Sequence, residues 1–152
     1  MNFLEKAYIL IFTKRVKQIK LSKNIILDLP KEMRVKSHKG LYQIFNAEDK
    51  TTLFQISAFK TKSEYNIDLE LENEKKDNPN AIIQLIGAYK YICYANRTAD
   101  NSELLYVWKI GYNDILILIS LLILDLKDRK QIDEKFDNAI KIIEGLKTNN
   151  NN

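Results

Sequence analysis

Catalysis needs reactive side chains held close together, and this 152-residue chain has few to bring together. Its single histidine, His38, sits in the polar stretch Lys36-Ser37-His38-Lys39-Gly40. Nucleophilic catalysis requires a base beside the nucleophile and a third group to orient that base. Nothing around His38 in the sequence holds it in one tautomer, so it reads as a solvated residue of a polar connection. The one cysteine, Cys93, lies in the apolar run Tyr91-Ile92-Cys93-Tyr94 and reads as a small buried hydrophobe that can form no internal disulfide. One Cys and one His do not supply the three or four ligands of a zinc site. The acidic stretches Asn46-Ala47-Glu48-Asp49 and Asp125-Leu126-Lys127-Asp128 lack the ligand spacing and glycine of a calcium loop, and read as a turn and a helix cap. Glu70, Glu72 and Glu74 fall in a segment so charged that solvation accounts for them. The four glycines are isolated, so no phosphate-cradling loop is present. The expectation is a protein that is not an enzyme and uses no metal or cofactor.

Binding chemistry is better represented. The net charge of +4 is uneven: residues 1–40 hold ten Lys/Arg against three Asp/Glu. Lys14, Arg15, Lys17 and Lys20 concentrate that excess, which would attract an acidic partner or nucleic acid. No helix-turn-helix, zinc-finger or RNP pattern accompanies it, so nucleic acid ranks behind protein as a partner. Tyr42, Tyr89, Tyr91, Tyr94, Tyr106 and Trp108 fall on strand-like segments. Rings with polar tips give contact area at little entropic cost, so these six are candidate binding residues for a pocket or an interface. Half-buried sheet packing is the competing reading of the same pattern.

These residues need elements to position them. Residues 1–23 read as a basic N-terminal extension with a short helix over about 2–13, although Tyr8 to Phe12 fits a short strand equally well. The core domain is expected at 24–148, followed by a frayed polar tail at 149–152. Asn24 to Leu29 reads as a strand stopped by Pro30, with one helical turn from Pro30 to Met33. Leu41–Phe45 and Thr52–Phe59 read as a hairpin. Ser63 to Asn78 is ambiguous: Tyr65, Ile67, Leu69 and Leu71 alternate as in a strand, yet Ser63 is a possible helix cap. Further strands are expected at 82–86, 89–96, 103–110 and 115–124. The last carries only Ser120 as a polar interruption, which predicts a central strand buried on both faces. At ten residues it is too short for a membrane helix, which needs about 20, and no signal-peptide pattern is apparent at the N-terminus. These features point to the cytoplasm. After a capping box at Asp128 and Gln131, Ile132, Phe136, Ala139, Ile140, Ile143 and Leu146 form one helical stripe.

Three stretches resemble the PsbP-like fold group. They are Ile25-Ile26-Leu27-Asp28-Leu29-Pro30-Lys31-Glu32-Met33, Thr52 to Phe59, and Tyr106-Val107-Trp108-Lys109-Ile110-Gly111 with Ile115 to Ser120. Ile142 to Lys147 is similar to that group's helix end. The resemblance covers about residues 24–147. It implies a mixed, mainly antiparallel sheet flanked by helices, an α+β sandwich, with a helix at 63–77. It implies no catalytic residues. Members of the group act mostly in binding or assembly. The expected function is a non-enzymatic protein-binding module, for example a bacterial immunity protein or effector chaperone. A small-ligand or lipid-binding protein is the alternative.

Overall fold

The computed structural model describes residues 18–46 and 51–148. The expected helix at 2–13, the 149–152 tail and most of the turn after Phe45 lie outside the described residues, as do Lys14, Arg15 and Lys17.

Seven strands form one sheet: β3 (Arg34–His38), β4 (Leu41–Phe45), β5 (Thr52–Lys60), β6 (Ile82–Ile86), β7 (Tyr89–Arg97), β8 (Leu104–Tyr112) and β9 (Ile115–Ile123). Their order across the sheet is β3-β4-β5-β9-β8-β7-β6, and every pairing is antiparallel. Two meanders, β3-β4-β5 and β6-β7-β8-β9, therefore join where β5 meets β9. β1 (Gln18–Ser22), β2 (Ile25–Asp28) and β10 (Leu146–Thr148) form a second, three-stranded antiparallel sheet. Two helices complete the described fold, α1 (Ile67–Asp77) and α2 (Arg129–Ile143). An α+β architecture is thus present, with antiparallel pairing throughout rather than the mixed sheet expected.

One face of the large sheet, here the inner face, is the core. Phe54, Ile56, Trp108, Ile117, Ile119, Leu121 and Ile123 point to it, and all are buried. α2 lies on it, with Phe136 packed against Tyr106 and Trp108 at ring separations of 4.8 and 5.8 Å. The small sheet adds Ile19, Ile25, Leu27 and Leu146 to the same cluster. Asp128 caps α2 by accepting a hydrogen bond from the Lys130 N–H at 3.0 Å. The helix buries Ile132, Ala139, Ile142 and Ile143.

Several expectations change. Residues 18–22 are an integral strand with Ile19 buried, so the fold starts before residue 24. Residues 34–38 are an edge strand, not a loop; the turn is at Lys39 and Gly40, both with positive φ. Pro30 to Met33 is a turn closed by Met33 N–H donating to Pro30 C=O at 3.2 Å. The β8–β9 turn shrinks to Asn113-Asp114, because the strand runs on to Tyr112. Leu146 leaves the helical stripe, since α2 ends at Ile143 and the chain turns through Gly145 into β10. β9 is central as expected, but only one of its faces is fully buried: Ile117, Ile119, Leu121 and Ile123 are covered, while the alternate residues are half-exposed. α1 forms within the segment where the resemblance implied a helix, and its cap is Asn66 rather than Ser63. Asn66 Oδ1 accepts from the Asp68 and Leu69 N–H groups at 3.1 Å.

Candidate functional site: the outer face of the sheet

Strand alternation sorts the aromatic candidates. Tyr42, Tyr89, Tyr91, Tyr106 and Trp108 share the inner face. Tyr91 and Trp108 are 0% exposed. Trp108 Nε1 donates to Gln84 Oε1 at 3.2 Å, so its polar tip is satisfied inside the protein. The Tyr89 hydroxyl lies 3.0 Å from Thr148 Oγ1 and accepts from the Thr148 N–H, which ties β7 to β10. Tyr106 and Tyr42 are half-buried against the core cluster. These rings hold the interior together, and Tyr91 and Trp108 present no surface to a partner. Tyr94 alone points to the opposite, outer face. Lys20 is exposed on β1.

The outer face has two halves. Across β7 and β8 it is covered by the crossing segment from β5 to β6, which carries α1. Glu74 makes a 2.5 Å ion pair with Lys109 and accepts from Asn78 Nδ2 at 2.7 Å, while Asn96 donates to Asn78 at 2.8 Å. The Lys109 ammonium also sits 5.8 Å from the Tyr94 ring centroid. Burial raises the carboxyl's affinity for a proton, but Lys109, Asn78 and Tyr94 outweigh it and hold Glu74 below the ordinary glutamate value. Burial and the Glu74 charge push Tyr94 up to about 12. Tyr65 lies on Gly111, where a Cβ would fall 1.9 Å from the tyrosine ring, so the absence of a side chain at 111 admits the ring. Burial also pushes Tyr65 up to about 12.

Across β4, β5 and β9 the outer face is different. Registration places Leu41, Ser57 and Leu118 in one row, Gln43, Gln55 and Ser120 in the next, then Leu53 with Leu122. Phe59 stands opposite Leu116 at the other end. None of these leucines belongs to the core cluster. Phe59 is 50% exposed and Leu41 38%; Leu53, Leu116, Leu118 and Leu122 are half-buried. The result is a surface with an amide and hydroxyl stripe between apolar rows, itself uncharged but bordered by Lys36 of β3 beside Gln43 and Lys109 of β8 beside Leu118. Sequence reasoning missed it, because the leucines of β9 read as core. The signal was there in the polar partners: Gln55 and Ser57 on one strand face match Ser120 on the next.

The remaining candidates for chemistry stay apart. His38 is exposed on the edge strand β3, and Cys93 is buried on β7, where burial pushes its thiol up to about 11. No group of three metal-ligating side chains occurs among the described residues. A cleft of about 200 Å³ lies between α2 and the β4–β5 end, lined by residues that include Met33, Ile44, Phe54 and Leu121. No described helix is long and apolar enough to cross a membrane.

No family model matches the chain, and no curated protein matches it. Among solved structures, it is similar to a protein from Bacteroides thetaiotaomicron VPI-5482, with a TM-score of 0.65 and 20% sequence identity. That likeness covers 89% of this chain and 49% of the other, so the chain spans about half the length of that protein and shares its fold over that half.

Proposed function

We propose that the protein is a non-enzymatic binding module whose outer sheet face docks a protein partner. The carrying observation is the contrast between the two faces of β5 and β9. On the inner side Phe54, Ile56, Ile117, Ile119, Leu121 and Ile123 are buried, whereas Leu41, Phe59 and the flanking leucines keep apolar area in water. Contiguous exposed apolar surface on a small protein marks interaction sites. The row of Gln43, Gln55 and Ser120, which Lys36 of β3 extends at the sheet edge, suits a partner that presents an apolar segment with its own amides. An immunity protein or an effector chaperone would use such a face. The PsbP-like relationship is part of the same reading, supported by the helix-bearing antiparallel sheet. Ligand binding has weaker support: the cleft beside α2 is smaller than the roughly 300 Å³ at which ligand pockets begin, the larger hollows beside Gln18 and Lys31 (about 670 Å³) and beside Lys60 and Asn113 (about 340 Å³) are open to solvent, and none of the six candidate aromatics lines any of the three.

The test uses the double substitution Leu41→Lys and Phe59→Lys, at positions exposed enough to leave the core alone. Affinity capture from the native host, followed by titration of the captured partner, should show at least about 100-fold weaker binding for the variant, since each position contributes roughly tenfold. Equal binding by both proteins would remove the outer face from the proposal, and a wild-type protein that captures nothing would remove the proposal itself.

A further inference from the structure

The two edges of the large sheet are built differently. β3, at one edge, reads Arg34-Val35-Lys36-Ser37-His38. Charged side chains on an edge strand discourage pairing with another chain. β6, at the other edge, reads Ile82-Ile83-Gln84-Leu85-Ile86 and carries no charge, proline or bulge. The chain is uncharged from Asn78 through Tyr89. Among the described residues β6 pairs with β7 alone, so one side of its backbone has no strand partner. Its side chains are also in water: Leu85 is 67% exposed and Ile82 59%. The strand is nevertheless well fixed, because Gln84 is held by Trp108 and Ile86 is buried.

We propose that β6 is a self-association edge, at which β6 of a second copy pairs antiparallel to extend the sheet across a two-fold axis. A two-fold through Gln84 sets Ile83 opposite Leu85 of the second copy and Ile82 opposite Ile86 of the second copy. Ile83 and Leu85, both exposed on the outer face, then meet across the seam, while on the inner face the exposed Ile82 lies beside Ile86, which its own core already covers. The neutral strand brings no like charges into the seam, which an isologous contact would otherwise double. Pairing β3 with itself about Lys36 would set Lys36 against its own copy and Arg34 opposite His38, so the charge distribution selects β6. This edge is distinct from the outer-face surface, and the two are separable by mutation.

Sedimentation equilibrium of the full chain over about 1–100 µM, a range that resolves micromolar association, should show a monomer–dimer equilibrium. Leu85→Lys alters an exposed side chain twice per dimer and should raise the dissociation constant about 100-fold with an unchanged circular dichroism spectrum. Hydrogen exchange should show amide protection at Ile82–Ile86 that increases with protein concentration. Leu41→Lys with Phe59→Lys should leave the dimer intact. The inference is overturned by a wild-type protein that stays monomeric across the range, by a dimer that Leu85→Lys does not weaken, or by protection at β6 that ignores concentration.

Discussion

Two glycines carry close contacts that a single methyl group would test. At Gly111 a Cβ would meet Tyr65 Cγ at 1.9 Å and Tyr65 Cβ at 2.4 Å, the near end of that side chain; at Gly145 it would meet the Asp28 carbonyl oxygen at 2.0 Å, which is backbone. Asp28 N–H also donates to Gly145 C=O at 2.8 Å, so that approach belongs to the β2–β10 pairing. Gly111→Ala should lower stability by about 1–3 kcal/mol, the usual cost of overpacking. Tyr65→Ala should remove only part of that penalty in a double-mutant cycle read by urea denaturation, because the Tyr65 Cβ that alanine keeps itself lies 2.4 Å from the added methyl. Gly145→Ala should cost at least as much, with no single side-chain truncation relieving it. Both glycines were visible in the sequence. Their roles were not, because Tyr65 and Asp28 lie 46 and 117 positions away in the chain.

α1 shows how an element can form with little of the core behind it. None of its residues is fully buried and Leu69 is 55% exposed. It is held by its Asn66 cap, by Glu74 on Lys109 and by the Tyr65 contact. Helices with few buried contacts open before the rest of the structure. Glu74 makes that attachment pH-dependent. Its folded value lies below the ordinary 4.5, so its contribution is complete above that value and is lost as pH falls through the folded one. Urea midpoints measured from pH 7 down to about pH 3 should fall less steeply for Glu74→Gln than for the wild type, because a carboxylate titrates only in the latter. Identical slopes would show that the ion pair does not anchor α1. The sequence left this segment open between helix and strand, since Ile67, Leu69 and Leu71 alternate and no apolar stripe resolves them. β3 was misread for a related reason. An edge strand dressed in Arg34, Lys36 and His38 has the composition of a loop, and only pairing with β4 reveals it.

Across the whole molecule, the large sheet, the small sheet and α2 share one interior, and Cys93 reports on it. Its thiol is buried opposite Trp108 and is pushed up to about 11 by burial, against about 8.5 in an unfolded chain. A thiol reagent at pH 8 should label the folded protein slowly, at a rate that tracks global unfolding as urea is added. Rapid labelling without denaturant would show that β7 opens locally. At this scale the sequence by itself determined that strands and one amphipathic C-terminal helix would enclose an apolar core. Periodicity and composition are local, and Ile132, Ala139 and Ile143 had to face something apolar. It did not determine which face of β5 and β9 meets that helix, which edge of the sheet is left uncharged, or that Gln18–Ser22 and Leu146–Thr148 would flank β2. Those depend on strand order and register, which are set by contacts between residues far apart in the chain. For the same reason the tyrosines, alike in sequence, divide into core and outer face only once β6–β9 are paired.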